Sequence, residues 1–125
     1  MMGSFTEQLL AQGYNCAQIM ALSVLERQGK TCPELVRALS GLGGGLGCGK
    51  LCGALSGAVC AMGLCAENAE APLQEATKEL IAWFEEVYGP TECTALRAIN
   101  GGVCKDLIVN TCTKMTELLE DYALL

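Results

Sequence analysis

Cysteine is the residue type with which this 125-residue sequence could do chemistry, since it contains nine cysteines and no histidine. The absence of histidine removes the commonest general base, the Ser-His and Cys-His nucleophile pairs and every metal site with an imidazole ligand. Thiolates can still bind soft metals or exchange disulfides. The cysteines stand at positions 16, 32, 48, 52, 60, 65, 93, 104 and 112.

The spacing of these cysteines excludes the common local motifs. No C-x-x-C pair occurs, so neither a zinc ribbon nor a thioredoxin-like redox motif is present. The closely spaced runs that bind ferredoxin clusters are also absent. The nearest pair is Cys48 and Cys52, which would lie one turn apart on a helix. Any larger shared site must therefore take cysteines from separate elements, as helical bundles can do.

Three interpretations of the cysteines remain open. Cys32, Cys60 and Cys65 stand among small or apolar residues or at a helix start, and we expect them to be small buried residues without a redox role. The others could bind zinc or an iron–sulfur cluster through thiolates alone. They could also form a dithiol that cycles through a disulfide, because a helix N-terminus near Cys52 or Cys104 would favour the thiolate.

The stretch GLGGGLGCGKLCGALSG, at residues 41–57, contains eight glycines. Residues 44–50 match the front of a phosphate-binding loop, but Leu51 stands where Ser or Thr should hold Mg²⁺. The preceding segment also has a helical rather than a strand pattern, so we reject nucleotide binding. The glycines are better explained as a bend that lets Cys52, and with it Cys48, reach a common centre.

Helical periodicity extends through most of the sequence, and period-two alternation is not sustained anywhere. Gly49, Gly53, Gly57 and Ala61 recur every four residues, which predicts a bare helix face against which another backbone packs. We therefore predict a single all-α domain over residues 1–125, folded as a compact bundle of four to five helices. The first predicted helix spans residues 4–28, with a cap at Ser4. A second begins near Pro33, and a third follows Lys50. Three more are predicted over residues 71–88, 93–98 and 105–122.

Composition limits the classes of partner. The net charge is −6 and the eight basic residues are scattered, which argues against binding to nucleic acid or to an anionic membrane surface. The longest uncharged run, residues 8–25, is interrupted by polar residues, so we expect no membrane insertion. The start of the sequence shows no secretory signal pattern, and we expect a cytoplasmic protein with reduced thiols.

Three segments together carry a resemblance to a known family. YNCAQ at residues 14–18, GGG at 43–45 and CGALSG at 52–57 resemble the small redox-active proteins that have a CGAxxG motif and four spaced cysteines. The similarity covers nearly the whole chain. It implies that the four cysteines are Cys16, Cys52, Cys93 and Cys112, with Cys104 as the alternative to Cys112. Cys48 is a departure from the family pattern and could supply an additional thiol.

The resemblance also implies a function. The family is similar to the helical, non-haem part of the split-Soret cytochromes, which implies a helical bundle with a cysteine-bound cluster. No C-x-x-C-H motif is present, so this chain cannot attach c-type haem. We therefore expect a redox or electron-transfer protein with an iron–sulfur cluster bound by Cys16, Cys52, Cys93 and Cys112.

Two alternatives to the cluster stay open. A thiol–disulfide protein could use Cys48 with Cys52, or Cys16 with Cys112, and a structural Cys₄ zinc site would use the same four ligands as the cluster. The sequence leaves enzymatic activity undecided. For partners we expect a redox protein, and the chain could also form a homodimer.

Overall fold

The computed structural model describes residues 2–102 and 104–125, with side chains from residue 5 onward. Within these residues the chain forms seven α-helices and no β-strand, so the all-α class is confirmed while the expected count of four to five helices is too low. A single antiparallel bridge joins Leu51 to Glu92. The helices are α1 (Met2–Ala11), α2 (Cys16–Gln28), α3 (Pro33–Ala38), α4 (Gly53–Gly63), α5 (Glu70–Tyr88), α6 (Cys93–Ile99) and α7 (Lys105–Asp121).

The predicted first helix over residues 4–28 is two helices, α1 and α2. Gly13 breaks the segment because it adopts a positive φ of 92°, which a right-handed helix does not contain. Asn15 then starts α2 with a capping box. The side chain of Asn15 accepts a hydrogen bond from the backbone N–H of Gln18, and the side chain of Gln18 accepts one from the backbone N–H of Asn15. The side chain of Ser4, which was predicted to cap the first helix, is outside the described side chains. Helix α1 begins before Ser4, at Met2.

The centre of the bundle is the contact between α2 and α4, which is the most extensive helix pair. A Cβ atom on Gly57 would overlap the Cα atom of Ala17 and lie 2.7 Å from its carbonyl oxygen. The predicted close approach of a backbone to the bare face of α4 is therefore confirmed at Gly57. Gly49 does not belong to this face, because α4 begins only at Gly53.

Helices α5 and α7 complete the core against α4. Both match the predicted segments within about one residue, because each carries a clear apolar stripe. On α5, Leu80 and Phe84 are fully buried, and the Phe84 ring packs 5.1 Å from that of Tyr88. The buried side of α7 includes the predicted Ile108, Cys112, Met115 and Leu119.

The described ion pairs lie on the surface. Arg27 contacts Glu120 at 3.0 Å, and Lys105 contacts Glu7 at 3.2 Å, with all four side chains substantially exposed. Exposed pairs of this kind add at most about 1 kcal/mol each, so apolar packing is the main source of stability. Among the described residues, no helix combines the length and the hydrophobicity needed to cross a bilayer.

A candidate four-thiol site at converging helix ends

A cavity of about 330 Å³ is lined by four cysteines, Cys16, Cys52, Cys93 and Cys104. Each of them lies at the N-terminal end of a different helix. Cys16 and Cys93 are the first residues of α2 and α6, and Cys52 and Cys104 directly precede α4 and α7. Helix N-termini present free backbone N–H groups and a positive partial charge, which favour thiolates. The aliphatic side chains that line the cavity belong to Leu10, Ala54, Leu96, Leu107 and Ile108.

A short antiparallel bridge positions Cys52 and Cys93. The backbone N–H of Cys52 donates to the carbonyl of Thr91 at 2.8 Å, and that of Cys93 donates to the carbonyl of Lys50 at 2.6 Å. These bonds flank the pair of Leu51 and Glu92. Because neighbouring residues of an extended segment point to opposite faces, Cys52 and Cys93 lie on the same face of the bridge. Two cysteines that are distant in sequence are thereby held beside one cavity.

The glycine-rich turn closes onto this bridge. Gly44, Gly45, Leu46 and Gly47 all have positive φ angles, between 63° and 71°, and the N–H of Lys50 donates to the carbonyl of Gly45 at 2.8 Å. A Cβ atom on Gly45 would lie 2.5 Å from the Cβ of Cys93. The glycines thus form a left-handed turn packed directly against a cysteine, and no β-strand precedes this turn in the described chain.

Cys16 lines the cavity from α2, which packs against α4. A Cβ atom on Gly53 would overlap the Sγ atom of Cys16, so the thiol of Cys16 depends on the absence of a side chain beside Cys52. Asn15 fixes the start of α2, because its side-chain amide also donates to the carbonyl of Ser40 at 3.1 Å. The motif around Cys16 therefore serves to anchor the helix end that carries this thiol.

Burial raises the pKa of the Cys16 and Cys52 thiols above the ordinary value of 9.0. Backbone N–H groups oppose this effect, from Gly44 and the start of α2 for Cys16 and from the start of α4 for Cys52. The neighbouring thiol of Cys93 raises the pKa of both, and the thiol of Cys16 also raises that of Cys52, because neighbouring thiolates repel one another. A bound cation or cluster would remove this repulsion.

Cys112 lies outside the cavity lining. It is fully buried on α7, where the Ser23 hydroxyl of α2 lowers its pKa while burial raises it more strongly. It lies eight positions after Cys104 in the sequence. That separation corresponds to about 12 Å along the helix axis. The structure therefore brings Cys16, Cys52 and Cys93 together with Cys104, and it places Cys112 in the packed core between α2 and α7.

Cys48 is exposed and lines a separate shallow depression with Lys50. The expectation that it lies one helical turn from Cys52 is wrong, because residues 45–49 form a wide turn with non-helical angles and α4 begins later. The expected burial of Cys32, Cys60 and Cys65 is also wrong, since Cys60 is exposed and the other two are half-buried. On α4, for example, Ala58, Ala61 and Met62 form the buried face, and Cys60 lies off it.

The chemistry of the cavity fits a thiolate-bound metal group. Among the described lining residues none is Asp or Glu, so the ionisable side-chain donors are the four thiols and the Tyr14 hydroxyl. In the part of the chain that the structure describes, however, no three Cys, Asp or Glu side chains are close enough to hold a metal ion. The donor set therefore fits, and the thiols would have to turn toward each other to bind.

Comparison with models of protein families matches residues 14–118 to the family described as "Putative redox-active protein (C_GCAxxG_C_C)". The chain belongs to this family. The matched region includes the four cysteines that line the cavity as well as Cys112. It confirms the resemblance that the three sequence motifs indicated. Comparisons with curated proteins and with solved structures give no match.

Proposed function

We propose that this chain is an electron-transfer protein that binds an iron–sulfur cluster through Cys16, Cys52, Cys93 and Cys104. The observation that carries the proposal is the convergence of four thiols, each at the N-terminal end of a helix, on one cavity without a carboxylate. An all-thiolate donor set is typical of iron–sulfur clusters and of structural zinc. Membership of a redox-active family favours the cluster over zinc, because zinc has no redox chemistry.

The proposal takes Cys104 as the fourth ligand in place of Cys112, which the family resemblance first implied. Cys104 lines the cavity and is half-buried, so its thiol can turn toward the other three. Cys112 is fully buried and stays in contact with α2. Moving its thiol to the cavity would require about two turns of α7 to shift or unwind.

A bound cluster would supply one-electron chemistry. The chain would contribute the ligands, the charge balance and the exclusion of water. Backbone N–H groups at the start of α2 and α4 lower the pKa of the Cys16 and Cys52 thiols, and hydrogen bonds of this kind raise the reduction potential of a thiolate-bound centre. Leu96 and Leu107 are almost fully buried beside the cavity, so they limit access of water from the core side.

A thiol–disulfide function is a second candidate, and the proximity of three thiols supports it. Cys93 raises the pKa of both Cys16 and Cys52, and Cys16 also raises the pKa of Cys52. Two of these thiols could form a disulfide on oxidation if their Cα atoms come within about 7 Å. The pairing of Cys48 with Cys52 is less well supported, because Cys48 lines a different depression.

The deciding experiment is anaerobic purification with iron, sulfide and zinc analysis on the same sample, followed by iron–sulfide reconstitution. We expect a coloured protein with equal iron and sulfide, and loss of both in Cys52→Ser, Cys93→Ser and Cys104→Ser. Cys60→Ser is the matched control, because Cys60 is exposed and does not line the cavity. A colourless protein after reconstitution would contradict the proposal. Stoichiometric zinc would replace it with a structural site, and a reversible disulfide would favour dithiol chemistry.

A further inference from the structure

Two cations line the thiol cavity beside the cysteines. Arg97 lies one turn after Cys93 on α6, and Lys105 directly follows Cys104. Residues four apart on a helix share one face, so the Arg97 guanidinium is on the side of α6 that carries the Cys93 thiol. Both cations are solvent-exposed, which places them at the entrance of the cavity rather than in its interior.

The charges around this entrance do not cancel. Lys105 pairs with Glu7 at 3.2 Å, whereas Arg97 has no carboxylate partner among the described ion pairs. Glu92 faces the neighbouring depression instead of the cavity. The chain as a whole carries a net charge of −6, so a positive entrance stands out against a negative surface.

We infer that Arg97, beside the Glu7-paired Lys105, makes the cavity entrance selective for small anions, so that the molecule which reaches the thiols carries negative charge. The physiological meaning of this selectivity rests on the proposed redox function, in which that molecule would be an anionic oxidant, reductant or additional ligand. The selectivity itself requires only the uncompensated charge of Arg97 and the cavity, because Glu7 offsets the charge of Lys105. It can therefore be tested on protein without a cluster.

The test compares two thiol reagents of nearly equal size. Iodoacetate is an anion and iodoacetamide is neutral, and both attach a two-carbon group to a thiolate with release of iodide. The ratio of their rates at one cysteine cancels the thiolate fraction of that cysteine and reports the local electrostatic attraction. Mass spectrometry of peptides gives this ratio separately for Cys104 and Cys16 in the cavity and for Cys60, an exposed reference thiol.

We expect the iodoacetate-to-iodoacetamide ratio to be higher at Cys104 and Cys16 than at Cys60, and to fall about threefold in Arg97→Gln. Arg97→Lys should retain the ratio, and added salt at about 0.5 M should reduce it because these charges are exposed to solvent. Lys78→Gln is the matched control. Lys78 is highly exposed and pairs with Glu75 at 3.6 Å. It lies on α5, a helix that does not line the cavity.

Equal ratios at cavity and reference thiols, or a ratio unchanged by Arg97→Gln, would overturn the inference. The same preparations are reconstituted with iron and sulfide in parallel. Anion selectivity without iron uptake would contradict the cluster and leave the inference intact. Iron uptake without anion selectivity would support the cluster and overturn the inference. The two proposals therefore fail through different measurements.

Discussion

The Sγ atom of Cys16 occupies the space in which a side chain on Gly53 would begin. Gly53 directly follows Cys52 and starts α4, while Cys16 starts α2. The absence of a side chain at Gly53 thus lets the ends of two helices, and the thiols they carry, meet at one cavity. Any side chain at this position must displace either the thiol or the neighbouring carbonyl of Leu42, which would lie 2.9 Å from the new Cβ.

Gly53→Ala should therefore destabilise the fold by about 1–3 kcal/mol and lower iron uptake, because the added methyl group overpacks the junction. Urea unfolding and iron analysis after reconstitution measure the two effects. The control is Gly63→Ala at the other end of α4, where a Cβ would meet nothing within 4 Å. This control should be neutral or stabilising by at most about 1 kcal/mol. Equal behaviour of the two variants would contradict the tight junction.

Cys104→Ser should abolish iron uptake while Cys112→Ala should retain it. Only the first of the two thiols lines the cavity. Cys112→Ala removes a fully buried sulfur, so it should lower stability without affecting the cluster. Thermal unfolding distinguishes a lost ligand from a lost fold. Iron loss in folded Cys112→Ala, together with iron retention in Cys104→Ser, would restore Cys112 as the fourth ligand.

Much of the fold could be predicted from sequence because the long helices are amphipathic. The stripes on α5 and α7 predicted their ends closely, and the glycine spacing on α4 predicted the close approach to Ala17. The break between α1 and α2 was missed. Its signal was Gly13, followed by an Asn15–Gln18 capping box, and the hydrophobic pattern continues across both helices.

The candidate site was harder to predict, because its cysteines are defined by helix ends and not by spacing. Cys104 precedes α7 as Cys52 precedes α4, and a glycine turn comes before each. That shared position was visible in the sequence. The family resemblance implied Cys112 instead, because of its place within the last helix, and Cys112 is buried in the core. The bridge between Leu51 and Glu92 left no sequence signal, because each partner contributes only one residue.

The backbone strain at Leu46 should lower the free energy of unfolding by more than the burial of its side chain raises it. It has a φ of 63° within the glycine turn and is 48% exposed. Leu46→Gly and Leu46→Ala both remove the side chain, but only glycine relieves the left-handed backbone. We therefore expect the glycine variant to be more stable than the alanine variant by about 1 kcal/mol, measured by urea unfolding. The opposite order would mean that the turn is not left-handed at this position.

The buried thiol of Cys112 should make stability depend on alkaline pH. Burial raises its pKa above the ordinary value of 9.0, so the folded chain holds this proton more tightly than the unfolded chain does. The resulting stabilisation is complete below the unfolded pKa and is lost as pH rises through the folded pKa. The free energy of unfolding of the reduced protein without metal should therefore fall above about pH 8.5.

Cys112→Ala should make this alkaline decline shallower without removing it, because the raised pKa values of Cys16 and Cys52 contribute in the same direction. The hydrogen bond to Glu79 raises the pKa of Tyr122 to about 12, so Tyr122 adds to the decline only from about pH 10 upward, at the upper end of the range compared. Urea unfolding at several pH values between about 7 and 10 compares the two slopes. An unchanged slope in Cys112→Ala would show that its thiol is not protonated preferentially in the fold, and would weaken the assignment of Cys112 to the core.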